Sequence, residues 1–289
     1  YLVNFSFIND AIHKIQSENN QNEFYLTDLV SLAAKNGTGL AQGFLVNDPT
    51  IVQGVNDRAE LSQVNALLRG RKINGLMKEG VDFVDPVATY IDYLVEIGPD
   101  SKIGPGTTIR GLTKIGSQVE IEGQCQITNG TLKDSILVKH GTVIQESTIY
   151  NDVTLGPYAH IRPGSTIKAG AKIGNFVELK KATFEAGAKA SHLSYIGDAE
   201  VGERSNIGCG FVTCNYSAYK EKDKTIIGKD VFIGSDCQTV APVKIGDGAT
   251  VGSGSTITED VPADALAIAR SRQTNKDGYS KKYKNPKKD

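Results

Sequence analysis

The sequence of 289 residues contains only four Cys, and none of them forms a Cys-x-x-Cys pair. A zinc site or a redox motif is therefore not indicated, and isolated Cys favour reduced thiols and a cytoplasmic location. The formal net charge is only −1, which gives no support for nucleic-acid binding. No apolar run is long enough for membrane insertion, and Asn4, Asn9 and Asp10 interrupt any signal-peptide pattern.

Methionine is also scarce. The only Met is Met77, and the sequence starts at Tyr1. Because a translated protein begins with Met, we expect an N-terminal part to be missing from this chain.

An aliphatic residue returns every six positions through much of the chain. One such run is Ile97, Ile103, Ile109, Ile115, Ile121 and Ile127. Neither a helix nor an ordinary strand has a period of six, whereas one short strand and turn of a parallel β-helix does. Three units make one triangular coil of about 18 residues with the aliphatic side chains inside. We therefore predict a mainly β protein, a left-handed parallel β-helix of hexapeptide repeats.

The phase of this repeat slips three times. The aliphatic positions bounding residues 127–149 and 179–201 are each 22 residues apart, and those bounding 207–227 are 20 apart. None of these spacings is a multiple of six, so we expect extra residues to be extruded from the coils as loops.

The predicted loops are residues 130–148, 180–196 and 212–226. Loops held by a rigid scaffold carry much of a protein's function. The second contains His192, and the third contains Asn215 and several Lys, so we expect the functional site there. We interpret the first as a plain loop.

Residues 1–86 do not follow the repeat. We predict helices at residues 8–17 and 27–34, and a short strand at residues 43–46. Asp57 followed by Glu60 is typical of a capping box, and the helix that it starts is expected to continue to Met77.

Three domains are predicted. Residues 1–86 form a small α/β remnant of a nucleotidyltransferase domain with a helical arm, and residues 87–261 form the β-helix. Residues 262–289 form a basic tail, with eight Lys or Arg and three Asp.

Several segments match one family closely. They are Ile161-Arg162-Pro163-Gly164, Gly174-Asn175-Phe176-Val177-Glu178-Leu179-Lys180-Lys181, Ser191-His192-Leu193-Ser194-Tyr195-Ile196-Gly197-Asp198-Ala199, Asn206-Ile207-Gly208, Thr213-Cys214-Asn215-Tyr216 and Val240-Ala241-Pro242-Val243. Together they resemble the C-terminal half of the bacterial bifunctional UDP-N-acetylglucosamine pyrophosphorylase/glucosamine-1-phosphate N-acetyltransferases. Residues 23–28 and 54–58 resemble the end of that family's uridylyltransferase domain.

The resemblance implies transfer of an acetyl group from acetyl-CoA to the amine of glucosamine-1-phosphate, on the route to UDP-N-acetylglucosamine and cell-wall precursors. A β-helix has convex walls, whereas a small-molecule site needs concavity. We therefore expect the site in a groove between neighbouring chains, and three-sided coils favour a cyclic homotrimer.

The resemblance implies that His192 is catalytic. An amine must lose a proton as its nitrogen attacks the thioester, and His is the usual general base. The structural alternative, a hydrogen-bonding His, is our interpretation of His13, His140 and His160.

Two sets of binding residues are implied by the same resemblance. Arg162 and Lys180 match phosphate-binding positions, since fixed cations suit a sugar phosphate. The other substrate positions are those that contact the sugar or orient it or the base: Glu178, Tyr195, Asn206 and Asn215. The acetyl-CoA positions are Cys209, Tyr216, Ser235, Ser253 and Arg270. Coil packing is a structural alternative for Ser235 and Ser253.

The third predicted loop departs from the family pattern. Ser217-Ala218 replaces Asp-Gly, and one extra residue precedes Thr225. The Lys that serves the active-site loop is either Lys222, counted back from Thr225, or Lys220. Losing the Gly removes an easy positive-φ turn.

The family's pyrophosphorylase site needs a Gly-rich nucleotide loop and a carboxylate metal ligand, and neither occurs in residues 1–86. Asn56 matches one metal-associated position without its partners. We expect Mg²⁺ to matter only for the missing half, and this chain alone to transfer no uridylyl group.

Two alternatives remain open. The chain could be a hexapeptide acyltransferase for another amino sugar, or a non-catalytic trimeric scaffold inactivated by its loop changes.

Overall fold

The computed structural model describes residues 1–18, 20–35 and 41–281. Two compact units are present, Tyr1–Glu60 and Leu61–Asp289. Residues 282–289 of the predicted basic tail lie outside the described residues.

The first unit is helical. It contains α1 (Phe5–Ala11) with a following 3₁₀ turn (Ile12–Lys14), α2 (Asp28–Lys35) and a second 3₁₀ turn (Pro49–Val52). The two predicted helices are confirmed, although α1 begins three residues early. The strand predicted at residues 43–46 is wrong, because the described part of this unit offers no strand to pair with it.

Helix α3 (Arg58–Lys78) begins at the predicted capping box. The backbone N–H of Glu60 donates to Asp57 Oδ1 at 2.8 Å, and the Glu60 carboxylate accepts from the N–H of Asn56 at 2.6 Å. Near the C-terminal end of α3, Ile73 and Leu76 are buried in the core of the coils. The helical arm is therefore confirmed.

The remainder is a parallel β-helix of about ten turns whose walls are three parallel sheets, and the predicted fold class is confirmed. In spatial order, sheet 1 comprises Asp82–Phe83, Lys102–Ile103, Glu120–Ile121, Leu137–Val138, Thr154–Leu155, Lys172–Asn175, Lys189–His192, Asn206–Ile207, Phe232–Ile233, Thr250–Val251 and Leu266–Ala267. Sheet 2 comprises Tyr90–Ile91, Thr108–Arg110, Gln126–Thr128, Val143–Gln145, His160–Ile161, Glu178–Lys180, Tyr195–Gly197, Val212–Cys214, Gln238–Val240 and Thr256–Ile257. Sheet 3 comprises Glu96–Ile97, Lys114–Ile115, Thr131–Leu132, Thr148–Ile149, Thr166–Ile167, Thr183–Phe184, Ala199–Val201, Thr225–Ile227 and Val243–Ile245.

The repeat positions fill the interior of the coils. Ile161, Ile167 and Ile173, one from each wall of a single coil, are fully buried. Side chains alternate across a strand, so the residue before each aliphatic one points outward. The outward positions are thus free to carry polar chemistry.

The first two predicted loops are wrong. Strands continue through residues 130–148 and 180–196, and the phase slips there because some steps take five residues instead of six. The buried positions run from Leu179 to Phe184 in five residues and from Ile196 to Val201 in five. The short steps tighten the corner between sheets 2 and 3, so the coils lose residues instead of extruding them.

The third predicted loop is confirmed. The sheet 2 residue Thr213 and the sheet 3 residue Ile227 both face the interior of one coil, yet 14 residues separate them. The extra chain leaves the coil at the same corner that is shortened in the preceding coils.

The coil strands begin at Asp82 and end at Ala267. The boundaries of the three predicted domains stay predictions. Among the described residues, no helix combines the length and apolar character that a membrane crossing needs.

Candidate active site

The predicted catalytic residue, His192, lies at the corner where sheet 1 ends. It is the last residue of Lys189–His192, and its register partner is Asn175, the last residue of Lys172–Asn175. These two strands are four residues long, whereas most strands of sheet 1 have two. The longer pairing carries both side chains to the corner together.

A hydrogen bond fixes the ring of His192. Its Nδ1 lies 2.6 Å from Oδ1 of Asn175, and the ring is exposed. Because an amide oxygen only accepts, this contact places the proton on Nδ1 and leaves a lone pair on Nε2. Nε2 is then able to accept a proton from a substrate.

The predicted phosphate-binding residues lie beyond this corner, on sheet 2. Arg162 Nη1 donates to Glu178 Oε1 at 2.7 Å, and both side chains are a little more than one-third exposed. Lys180 lies on the same strand as Glu178. Lys222 and then Arg162 lower the pKa of Lys180, because each positive charge disfavours another close by. Arg162, Lys180 and Lys222, the cation cluster, therefore form one positively charged patch.

The geometry of residues 215–223 distinguishes the two candidate Lys residues. Tyr216 and Lys222 pair across an antiparallel bridge, and Lys220 occupies the turn with φ of 66°. Ser217 Oγ accepts from the N–H groups of Tyr219 and Glu221, so this Ser stabilises the turn. Lys220 thus takes over the positive φ that Gly supplies elsewhere, and Lys222 is the residue acting on Lys180.

Tyr195 and Asn215 converge on the coil next to Lys180. A Cβ placed on Gly197 would meet the hydroxyl of Tyr195 at 2.5 Å and Nδ2 of Asn215 at 3.0 Å. The Nδ2 of buried Asn215 donates to Oδ2 of Asp198 at 2.5 Å. Gly at position 197 is therefore what lets these two sugar-binding candidates approach each other.

Asn206 lies apart from that group. It is the first residue of Asn206–Ile207, and its register partners in sheet 1 are Lys189 and Phe232. The corner that carries His192 is at the opposite end of this wall. The structure does not bring Asn206 together with the sheet 2 residues.

The predicted acetyl-CoA positions form a line that starts at His192. The pairs in sheet 1 join Ala190, Ile207, Ile233, Val251 and Ala267 on successive coils. Two residues after each of these positions stand His192, Cys209, Ser235, Ser253 and Ala269. With coils about 4.8 Å apart, this line is about 19 Å long.

Arg270 and Tyr216 complete the predicted cofactor set. Arg270, the residue after Ala269, is exposed and has its Cδ 3.9 Å from where a Cβ on Gly254 would be. Tyr216 is 60% exposed at the start of the loop. A cation thus stands at one end of the line and the His192 ring at the other.

Asn56 offers no metal site. Its backbone N–H is used in the start of α3. Throughout the described ranges, no three His, Cys, Asp or Glu side chains are placed to hold a metal ion.

Sequence reasoning gave no role to Asn175 or Asp198. Each stands 17 residues before the residue that it contacts, which is the length of a coil with one five-residue step. This offset is visible in the sequence, but interpreting these coils as carrying extruded loops concealed it.

Three parallel walls and the six-residue pattern define a hexapeptide-repeat β-helix, and the polar corner gives it a candidate transferase site. The family model "Bacterial transferase hexapeptide (six repeats)" matches residues 224–259. The chain is 48% identical over 284 residues to the bifunctional protein GlmU of Geotalea uraniireducens, covering 98% of the chain and 62% of that protein. The corresponding protein of Exiguobacterium sp. is 47% identical over 283 residues, covering 98% of the chain and 62% of that protein.

The chain belongs to the same family as these bifunctional GlmU proteins, and it spans about six tenths of their length. A solved structure, the Arabidopsis UDP-N-acetylglucosamine acyltransferase, superimposes with a TM-score of 0.56 at 16% identity. That superposition covers 63% of this chain and 70% of the other, and at this identity it shows a shared fold alone.

Proposed function

We propose that this protein transfers the acetyl group of acetyl-CoA to the amine of glucosamine-1-phosphate, forming N-acetylglucosamine-1-phosphate for UDP-N-acetylglucosamine and cell-wall precursor synthesis. One observation carries the proposal: the available Nε2 of His192 lies at the corner between the cation cluster on sheet 2 and the line of cofactor positions on sheet 1. Membership of the GlmU family supports the same reaction.

The sugar phosphate is held by the cation cluster. Charge-assisted hydrogen bonds from a guanidinium and two ammonium groups suit a phosphate dianion. Glu178, bonded to Arg162, orients that guanidinium and faces the sugar. Tyr195 and Asn215 bond sugar hydroxyls, and Asn206 does so from the other wall.

His192 acts as the general base. As the sugar nitrogen forms its bond to the acetyl carbonyl carbon, the C–S bond of the thioester breaks, and Nε2 takes the proton from the nitrogen. The same proton then passes to the departing thiolate, which leaves as the free thiol of CoA. No net proton or electron is consumed.

Acetyl-CoA fits the line of small side chains on sheet 1. Cys209, Ser235 and Ser253 leave room for an extended acyl-carrying arm to lie along the corner. Arg270 is placed to pair with a phosphate of the nucleotide end. Tyr216 borders the same end of the site as His192.

A homotrimer completes this site. The walls of the coils are convex, and Asn206 stands on a wall other than the one that carries Tyr195 and Asn215. We propose that neighbouring chains form the groove that holds both substrates. The protein then works in the cytoplasm, which fits its free thiols.

The test is release of CoA thiol with a panel of acceptors. The expected result is rapid release with glucosamine-1-phosphate, and little with glucosamine or glucosamine-6-phosphate, which lack the phosphate at C1. Glucose-1-phosphate, which lacks the amine, should give none. Faster release with another amino sugar would assign the protein to a different acceptor, and no release with any of them would contradict acyl transfer.

The absence of uridylyl transfer by this chain stays a prediction. Incubation with UTP, N-acetylglucosamine-1-phosphate and Mg²⁺ should release no pyrophosphate, and measurable release would contradict it.

A further inference from the structure

We propose that Asn175 is the positioning residue of the general base: its amide oxygen holds the Nδ1–H of His192, so that Nε2 is the nitrogen presented to the amine. This inference rests on the proposed function, to which it adds the group that selects the tautomer of the base.

Geometry is the first support. The 2.6 Å contact joins two register partners on adjacent coils, so backbone hydrogen bonds fix the distance between their Cα atoms. Each partner is followed by a bulky residue in the left-handed backbone conformation, Phe176 with φ of 55° and Leu193 with φ of 44°. Bulky side chains rarely adopt that conformation, and such residues concentrate at functional sites.

Close packing beneath the pair is the second support. A Cβ on Gly174 would lie 1.8 Å from the carbonyl oxygen of Ser191, which is impossible without displacing the backbone. Gly174 and Ser191 are the residues directly before Asn175 and His192. The two coils thus approach most closely where the amide and the imidazole meet.

The neutral amide suits a base better than a carboxylate would. A carboxylate bonded to Nδ1 stabilises the imidazolium, which has no lone pair to offer at Nε2. An amide oxygen selects the same tautomer without a full charge. The other register neighbour of His192 is Cys209, and the ionisable groups beyond the corner include Tyr195 and Glu178, of which Glu178 is engaged by Arg162.

Steady-state kinetics across pH form the first half of the test. Asn175→Ala should lower kcat about 10–100-fold, the range for losing a partner that orients an imidazole, with KM for the sugar phosphate nearly unchanged. Asn175→Asp should move the acid limb of the pH profile up by about one pH unit and recover much of its rate above that limb. Asn175→Gln should recover less, because its longer side chain misplaces the oxygen.

A matched control is available on sheet 2. Gln145 Oε1 lies 3.3 Å from Nε2 of His160, an amide–imidazole contact away from the proposed chemistry. Gln145→Ala should keep the wild-type profile. Wild-type kcat and an unmoved acid limb in both Asn175→Ala and Asn175→Asp would overturn the inference.

Nitrogen NMR of the His ring separates this inference from the proposed reaction. The resonances of His192, assigned by their loss in His192→Ala, should report the Nδ1–H tautomer in the wild type and a mixture in Asn175→Ala. This readout needs no substrate, so it stands even if acetyl transfer is not observed. A wild-type ring protonated on Nε2 would overturn the inference.

Discussion

At the scale of single residues, the cation cluster explains how the loop and the coils act together. Lys180 lies in a regular coil, whereas Lys222 returns toward it from the inserted segment. Lys222 is the largest influence that lowers the pKa of Lys180, ahead of Arg162. Three cations held close without an anion repel one another, so a bound phosphate relieves a strain that the empty cluster carries.

This repulsion predicts a pH dependence for anion binding. The pKa of Lys180 is lowered, so its charge is lost at a lower pH than for an ordinary Lys, and phosphate binding weakens as the pH rises through that value. Lys222→Gln removes the main cause. Overall affinity should fall, while the alkaline loss of affinity should move to higher pH. The inhibition constant of glucose-1-phosphate, which has no amine to titrate, measures both effects.

Lys220→Gln is the matched control for that experiment. Lys220 belongs to the same loop but occupies the turn, and it is not among the groups that act on Lys180. It should leave the alkaline limb in place. If Lys220→Gln shifts the limb and Lys222→Gln does not, the assignment of Lys222 is wrong.

Arg162 should contribute mainly to binding. Arg162→Ala removes one charged hydrogen-bond donor, so KM for glucosamine-1-phosphate should rise about 10–100-fold while kcat changes little. Arg110, exposed on the same edge of sheet 2 several coils away, is the control, and Arg110→Ala should leave KM unchanged. A fall in kcat with constant KM in Arg162→Ala would place this residue in the chemical step instead.

At the scale of elements, the sequence predicted the interior better than the corners. The aliphatic residues at every sixth position are buried because a short strand and a turn repeat on each wall. A five-residue step changes the phase just as an insertion does, so spacing alone did not distinguish a tightened corner from an extruded loop. Only the third slip, where 14 residues separate Thr213 from Ile227, is too long for any corner.

The same limit explains which site residues sequence reasoning found. His192 and Arg162 lie in segments that resemble the family and were named directly. Asn175 and Asp198 lie in the same segments, but their importance comes from contacts between adjacent coils. Those contacts depend on the coil length, which the misinterpreted corners obscured.

Close approach between coils predicts a sharp difference between two glycines of sheet 1. Gly174→Ala places a Cβ 1.8 Å from the Ser191 carbonyl oxygen and should destabilise the protein, with loss of activity as the corner moves. Gly252 holds the equivalent position after Val251, where the nearest atom is a flexible Ile268 side chain at 3.2 Å. Gly252→Ala should be tolerated. Urea unfolding monitored by circular dichroism measures both, and equal midpoints would contradict this account of the corner.

At the scale of the whole molecule, the proposed site needs more than one chain. The structure gives His192, the cation cluster and the cofactor line on one chain, with Asn206 on a separate wall. Light scattering of the purified chain should report about three times its 31.0 kDa. A monomer that acetylates glucosamine-1-phosphate at full rate would contradict the shared groove.

The most direct test of acetyl transfer at this corner is the pH profile of wild type and His192→Ala with glucosamine-1-phosphate. If His192 is the base, His192→Ala should lower kcat by about 10²–10⁴-fold, the usual contribution of such a group. KM should change little, since the cation cluster still holds the phosphate. The wild-type kcat/KM should fall on the acid side as an imidazole gains its proton, and that limb should be absent in His192→Ala. A variant that keeps both the rate and the acid limb would show that the amine loses its proton to another group.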